Sequence, residues 1–373
     1  MQPHIPDTLP LKNIDWERHV TLIGKANAAL ARYDGILLGM VNPQVLLSPL
    51  TTREAVLSSR IEGTQASLEE VLQYEADLGS DKDSVSSDSS QVRDIHEIIN
   101  YRLAMGTAVE KMAGRPFGIN TIRELHRILL MGVRGRYKDP GELRRIQNYI
   151  APPGTPIDQA TFIPPSPEII MDALSNWEDY LYFTEKDPLV QLAILKAQFE
   201  LIHPFRDGNG RIGRMLVPII LYHKKILSLP MFYISAYLER NRDVYYERLL
   251  AISRDGDWNG WISFFLQALV LQSVENCKKA RAILDLYNGM KTRVAMVTRS
   301  QYSIQTIDVL FSSPIINSSD FSLKSGIPDR TAQRIIQKLE QEGILRRIKE
   351  GRGSRSPTYL FLDLLDITEN EDE

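Results

Sequence analysis

His203-Pro204-Phe205-Arg206-Asp207-Gly208-Asn209-Gly210-Arg211-Ile212-Gly213-Arg214 is the stretch that organises this 373-residue chain. Before it, Leu192, Leu195, Phe199 and Ile202 recur at i, i+3, i+7 and i+10. After it, Ile212, Met215, Leu216, Ile219 and Ile220 share a face, with a kink expected at Pro218. The run therefore reads as a short loop between two helices, delivering its residues to the start of the second.

Such a loop suits a polyphosphate. The first turn of a helix has unpaired N–H groups and a partial positive charge. Glycines at 208 and 210 let the backbone curve into a nest and let a phosphate approach with no Cβ in the way. Arg211 and Arg214 lie three apart, on one helix face, and can make charge-assisted contacts to phosphate oxygens. Asp207 offers the hard oxygen that Mg²⁺ prefers when it also binds phosphates. His203, with an ordinary pKa of roughly 6.5, can take a proton from a hydroxyl near neutral pH. A base, a metal–phosphate clamp and a nest together point to in-line attack on phosphorus. No G-x-x-x-x-G-K-[ST] phosphate loop competes elsewhere in the chain.

The twelve residues resemble the signature of the Fic family, H-x-F-x-[DE]-G-N-G-R-x-x-R, at every defined position. The resemblance implies a mainly α fold and transfer of AMP from ATP to a protein hydroxyl on Tyr, Thr or Ser, with release of pyrophosphate. It implies His203 as general base, Asp207 as Mg²⁺ ligand, and Gly208, Asn209 and Gly210 as the anion hole. Arg211 would bind the phosphates and Arg214 the γ-phosphate. The intact Gly-Asn-Gly-Arg argues against the branch of the family that phosphorylates its targets.

Far upstream, Ser58-Ser59-Arg60-Ile61-Glu62-Gly63 resembles the family's inhibitory motif, [ST]-x-x-x-E-[GN]. The residues give it a rationale of their own. Thr52 to Ile61 reads as a helix with Thr51 or Thr52 as N-cap and Gly63 closing it. Ser58 and Glu62 share a face. A carboxylate at the negative end of a helix is locally unfavourable, so Glu62 should have a cationic partner. The resemblance supplies Arg214, which could not then hold the γ-phosphate; the alternative is a solvated surface glutamate.

Breaks in pattern predict five regions: an N-terminal helical region (1–90), a catalytic domain (91–270), a linker helix (271–298), a winged helix-turn-helix (299–365) and an acidic tail (366–373). The first begins with an extended lead bearing Pro3, Pro6 and Pro10, followed by helices at about 16–38 and 68–78. Residues 79–90 read as a Ser/Asp-rich linker. Within the catalytic domain, residues 144–164 read as a β-hairpin punctuated by prolines. The family uses such a hairpin as a flap that presents the target segment; Ile150 and Phe162 are its candidate residues, and a merely structural hairpin is the other reading. Tyr237 to Glu247 resembles the family segment near the nucleobase, with Tyr246 as the adenine-side candidate. His126 and His223 lack metal-ligand spacing and read as structural.

In the C-terminal region, residues 318–325, a Gly326-Ile327-Pro328 turn and residues 329–342 read as helix, turn, helix. Strands are expected at 345–347 and 357–362. Residues 318–361 hold nine basic and five acidic side chains, a net of +4. DNA binding and protein docking both fit that excess.

Composition is that of an ordinary globular protein, with 24% charged and 43% hydrophobic residues. A net charge of −3 gives no global pull toward nucleic acid or anionic membrane. The single Cys277 excludes an internal disulfide framework and fits a reducing cytosol. With no apolar run near about 18 residues and no signal-peptide pattern, a cytoplasmic protein without membrane association is expected. Expected partners are ATP and a target protein, or the chain itself, with a homodimer as the candidate assembly. Two other readings stay open: a DNA-binding regulator whose catalytic domain only senses nucleotide, and removal of AMP by a water that Glu62 orients.

Overall fold

The computed structural model describes residues 2–78, 89–112, 114–133, 135–152, 154–351 and 356–370. Most of the expected 79–90 linker, Pro153 of the flap, Arg352 and Arg355 of the wing and the last tail residues lie outside them. The chain is mainly helical. Its elements run α1 (Trp16–Gly39), α2 (Pro43–Leu46), α3 (Ser48–Ile61), α4 (Leu68–Leu78), α5 (Ser90–Met112), α6 (Ile119–Leu129), α7 (Ile170–Tyr182), α8 (Pro188–Ile202), α9 (Asn209–His223), α10 (Ser235–Arg240), α11 (Arg242–Asp255) and α12 (Trp258–Thr298). Then follow α13 (Ser303–Ser312), β1 (Ile315–Asn317), α14 (Ser318–Ser325), α15 (Asp329–Gln341), β2 (Arg346–Lys349), β3 (Thr358–Leu360) and α16 (Leu362–Glu369).

These elements form two compact units. The first comprises Met1–Asp34, Leu57–Gly63 and Ile99–Val274. Helix α8 is its centre: every residue from Leu189 to Ile202 is buried, so the helix is enclosed all round and not merely on the one predicted stripe. Asp187 caps its start, accepting from the N–H groups of Leu189 and Val190, and Pro188 follows at the first helical position. Helices α7 and α9 pack on α8. A Cβ at Gly213 of α9 would meet Glu200 Oε1 at 2.5 Å, so this glycine sets how closely the two site helices approach. Buried Trp177 and Trp261 each donate an indole N–H to an α8 carbonyl, Leu195 and Ala193 respectively. The proline-bearing lead is held to this unit: His4 N–H donates to Ile163 O at 2.8 Å and Trp258 Nε1 to Asp7 at 2.8 Å.

The second unit comprises Gly35–Val56, Thr64–Ile98 and Glu275–Glu373. Its sheet is antiparallel in the order β1-β3-β2, with Ile316 and Arg347 both paired to Tyr359. Helix α4 packs on β1, and Leu68, Leu72 and Ala76 meet Ile315, Leu360 and Leu365 in one apolar cluster. Asn317 caps α14 by accepting from Asp320 N–H and donates to Ala76 O. Gly326 (φ 65°) ends α14 in the left-handed conformation that a residue with a Cβ adopts only at a cost, and Gly343 (φ 68°) does so after α15.

Several local expectations give way. Helix α3 starts at Ser48, so Thr51 and Thr52 are not caps; their hydroxyls donate back to the carbonyls of Leu47 and Ser48. Ser89, taken for linker, accepts from Val92 N–H at the start of α5. The 144–164 hairpin is present but short: among the described residues its arms meet in one antiparallel bridge, Ile150 to Phe162, with a 3₁₀ turn at Ile157–Gln159. Its prolines have no N–H for a ladder. Helix α16 runs across the expected boundary at 365/366 between the C-terminal region and the acidic tail. Leu364, Leu365 and Thr368 are buried, Lys279 donates to the carbonyls of Ile367, Thr368 and Asn370, and Glu369 and Asn370 are exposed. Among the described residues, no helix is long and apolar enough to cross a membrane.

Candidate functional site

The site lies in the first unit, where α8 ends and α9 begins. His203 closes α8 in the left-handed conformation (φ 49°), a strained position for a residue with a Cβ. Buried Arg144 over-determines that bend. Its guanidinium donates to the carbonyls of His203 (2.8 Å), Ile202, Ile146 and Pro165, and its own N–H donates to Pro204 O. These include carbonyls that the end of a helix leaves without partners. Burial pushes Arg144 down to about 10, with Glu168 opposing, so it remains cationic at neutral pH.

Three more groups shape the loop. The Asn209 amide stitches it across, accepting from Phe205 N–H and donating to Phe205 O, both at 2.9 Å. Phe205 stacks on His126, with ring centroids 3.8 Å apart and planes 8° apart. Gly141 N–H donates to His126 Nδ1, so Nε2 carries the ring hydrogen and donates to Asp207 O at 2.9 Å. Burial holds His126 neutral, pushing it down to about 4. His126 is structural, as expected, but the structure that it holds is the loop carrying Asp207 and Gly208.

His203 Nδ1 lies 3.2 Å from Glu200 O. A carbonyl only accepts, so Nδ1 carries the hydrogen and Nε2 keeps its lone pair, as a general base requires. Burial lowers the His203 pKa below the ordinary 6.5, as does Arg144; the bond to Glu200 O and the charges of Glu62 and Glu200 oppose this. The imidazole is therefore neutral at pH 7.

Glu62 and Arg214 meet. Arg214 Nη2 donates to Glu62 Oε1 at 2.7 Å and to Ser58 O at 2.8 Å, while Nε donates to Ser58 Oγ at 2.9 Å. The Arg214 side chain is fully buried and that of Glu62 is 32% exposed. Burial opposes ionisation of Glu62, yet Arg214, and behind it Arg211 and His203, hold the carboxyl below its ordinary range. Burial works against the charge of Arg214 as well, and Glu62, together with Tyr245, Tyr246 and Glu200, outweighs it. Gly63, at φ 96°, turns the chain away after this contact.

A cleft of about 850 Å³ brings together Glu62, His203, Gly210, Arg214, Tyr246, Ile150 and Phe162. That volume falls in the range of small-molecule sites. Asp207, Gly208, Asn209 and Arg211 sit in the same loop but do not line it. Two details suit a phosphate. Arg214 Nη1 is buried with no acceptor among the described residues. The space a Cβ would take at Gly210 holds the Glu62 carboxylate, which lies against the first turn of α9. Tyr246 stacks on Tyr245 at 5.0 Å, and Phe162 is buried while Ile150 is half-exposed.

For a metal, Asp207 is the available carboxylate. Its side chain is 34% exposed and accepts one 3.3 Å contact, from Arg211. Among the described residues no cluster of three or more His, Cys, Asp or Glu could hold a cation. The donor set fits an ion shared with a bound nucleotide's phosphates, as Mg²⁺ is commonly held, and does not fit an all-protein cage.

Sequence reasoning missed Arg144 and a buried network behind Arg214. Lys196 Nζ donates to Glu200 Oε1 (2.8 Å) and to Tyr245 Oη (2.9 Å), and Tyr245 Oη donates to Glu200. Lys196 is fully buried, over the rings of Tyr245 and Trp261. The signal was present: two opposite charges four apart, the charged pair of a mostly apolar helix. Arg144 left no such trace, because it acts on backbone carbonyls.

Comparison with known proteins agrees with this geometry. Residues 20–110 match the model for the Fic/DOC family N-terminal region, and residues 116–221 that for the Fic/DOC family itself. The protein adenylyltransferase fic-1 of Caenorhabditis elegans is 35% identical over 106 residues, 28% of this chain and 19% of that protein. The protein adenylyltransferase Fic of Drosophila willistoni is 30% identical over 187 residues, 48% of this chain and 33% of that protein. The matches thus span a third or less of these relatives' length. The solved structure of a Fic family protein from Desulfovibrio desulfuricans aligns with a TM-score of 0.58 over 97% of this chain and 98% of that one. Sequence identity is 20%, a likeness of fold. A Fic domain containing signaling protein from Bacteroides thetaiotaomicron gives a TM-score of 0.51 at 18% identity, over 69% of this chain and 97% of that one. The two adjoining family matches together take in more than half of the chain, and it belongs to the Fic/DOC family.

Proposed function

We propose that this protein is a self-inhibited protein adenylyltransferase. It would move AMP from ATP to a Tyr, Thr or Ser hydroxyl of a target protein, itself included, and release pyrophosphate. One observation carries the reading. The same cleft holds a histidine whose Nδ1 is taken by Glu200 O, leaving Nε2 for a base, and a buried arginine whose carboxylate partner lies against Gly210, where a phosphate would sit in this reading. Relatives named protein adenylyltransferase point the same way.

In this reading His203 Nε2 takes the proton of the target hydroxyl as its oxygen attacks the α-phosphorus. The bond from that phosphorus to the pyrophosphate oxygen breaks. Gly208, Asn209 and Gly210 present the first turn of α9 to the phosphates, and Arg211 adds positive charge. Asp207 would hold a Mg²⁺ ion, which would supply charge neutralisation for the phosphates. Tyr246 would face the adenine, and the bridge at Ile150 and Phe162 would align the target segment. Arg214 would bind the γ-phosphate once Glu62 releases it, and Ser58 would keep the arginine in place meanwhile.

Glu62 has a second reading. It faces the cleft that holds His203, so it could orient a water that removes AMP from a modified protein. A pure nucleotide sensor is less favoured, because it has no use for an imidazole held in the base tautomer. The test is His203→Ala. AMP transfer should fall by about 10²–10⁴-fold, the usual loss of a general base, while ATP binding persists. Undiminished transfer would refute the assignment.

A further inference from the structure

The second unit carries a surface that AMP transfer does not use. Helix α15 follows α14 after the left-handed Gly326 turn and buries Ala332, Ile335, Ile336 and Leu339. Its opposite face exposes Asp329, Arg330, Gln333, Arg334, Gln337 and Gln341. No apolar residue is among them. A protein-docking face normally has an aromatic or aliphatic centre that carries the binding energy, and this one has none. Leu323 on α14 is strongly exposed, but a single exposed leucine is ordinary.

The distribution of cations sharpens the point. Most basic residues of this region are engaged internally. Lys324 donates to Ser313 Oγ, and Lys338 to the carbonyls of Val297 and Thr298 at the end of α12. Arg347 pairs with Glu340 and Glu350, and Lys349 with Asp77. Arg330 and Arg334, by contrast, have no hydrogen-bond or ion-pair partner among the described residues. They stand one turn apart on the exposed face, beside Gln333 and Gln337, also one turn apart. The nearest acid, Asp329, accepts from the Ser322 hydroxyl.

Uncommitted arginines alternating with glutamines on one face of an exposed helix match the edges of base pairs. Arginine donates two bonds to the O6 and N7 of guanine, and glutamine makes a donor–acceptor pair with the N6 and N7 of adenine. The B-DNA major groove admits one helix, and in helix-turn-helix proteins the second helix reads bases from its N-terminal half. Arg330, Gln333 and Arg334 lie in the N-terminal half of α15, and Gln337 follows just past its middle.

We infer that α15 enters the major groove of duplex DNA and reads sequence through Arg330, Gln333, Arg334 and Gln337. Arg346, exposed on β2, is placed to meet the phosphate backbone. Both strand and helix belong to the second unit, so the inference is independent of the chemistry proposed for the first.

The test uses the full chain and a random-sequence duplex library, selected through repeated rounds of binding. An enriched sequence is expected, with guanine and adenine at discriminated positions. Anisotropy of the labelled duplex should then show that Arg334→Ala and Gln333→Ala each abolish discrimination at one base position. That loss corresponds to roughly 5- to 150-fold per bidentate contact. Arg346→Ala should weaken all sequences alike and reduce the log–log salt slope by about 0.9. These side chains are exposed, so circular dichroism and thermal midpoints should match the parent and exclude misfolding. Three results would overturn the inference: no duplex binding at roughly 50 mM salt, binding without an enriched sequence, or α15 variants that weaken every sequence equally.

Discussion

Replacing Glu62 with glycine removes the carboxylate from Arg214 and from the mouth of the Gly210 position. Arg214 keeps its two bonds to Ser58, so the guanidinium should stay in place. A hydrogen bond between charged groups contributes about 1.5–3 kcal/mol. Orphaning a fully buried charge costs about 3–5 kcal/mol. Glu62 is 32% exposed to the cleft, so water already screens part of the pair, and a cost of about 2–3 kcal/mol is expected. The nucleotide-free variant should be destabilised by that amount. With ATP bound, the γ-phosphate restores a partner for Arg214 and fills the donor capacity that Nη1 now leaves unused. The same 2–3 kcal/mol then appears as productive affinity, a gain of roughly 30- to 150-fold. In a thermal-shift experiment with saturating Mg-ATP, the stabilisation should exceed the parent's by a similar free energy, or about 4–12 °C. AMP transfer, self-modification included, should rise by one to two orders of magnitude. Adding Arg214→Ala should abolish the gain. If Glu62→Gly changes neither activity nor ATP stabilisation, the inhibitory reasoning is wrong and the ion pair is only structural.

Three further outcomes follow from the same geometry. His203 is depressed below 6.5 in the folded chain, so between its folded and ordinary values the unfolded state binds more protons. Stability and base competence both rise with pH through that window, and the acid limb of kcat/KM should lie below 6.5. Glu62 raises the His203 pKa, so Glu62→Gly should move the limb lower still; a limb above 6.5 would contradict this. Arg144→Lys keeps the charge but not the fork that reaches several carbonyls, and it should destabilise the first unit by at least about 2 kcal/mol in urea unfolding. An unchanged midpoint would count against the clamp. Gly210→Ala would put a Cβ on the Glu62 carboxylate; it should displace Glu62 yet also obstruct phosphate, giving no activation. Activity matching that of Glu62→Gly would show that the phosphates lie elsewhere.

What the sequence revealed depended on how locally each feature works. The 203–214 loop was legible because base, nest and arginines are adjacent, and helices on both sides announce themselves by period. Glu62 was legible as a carboxylate in need of a cation, though its partner lies 152 residues away. Arg144 and His126 were not legible as supports, because they hold backbone atoms, and carbonyls leave no mark in side-chain patterns. The helix that runs into the tail was not legible for a related reason: the carbonyls at the end of α16 accept from Lys279, 89 residues away from Thr368 in the sequence. The hairpin at 144–164 was legible because its residues favour strands; how short its pairing is, one bridge among the described residues, follows from prolines that have no N–H to give.

The central claim is that AMP, and not a terminal phosphate, reaches a protein hydroxyl with His203 as base. Glu62→Gly protein incubated with Mg²⁺ and ATP labelled at either the α- or the γ-phosphorus tests it directly. The account predicts that the α label becomes covalently attached to protein, that the γ label leaves with pyrophosphate, and that adding His203→Ala abolishes the attachment. A γ label on the protein, or α label undiminished without His203, would contradict it.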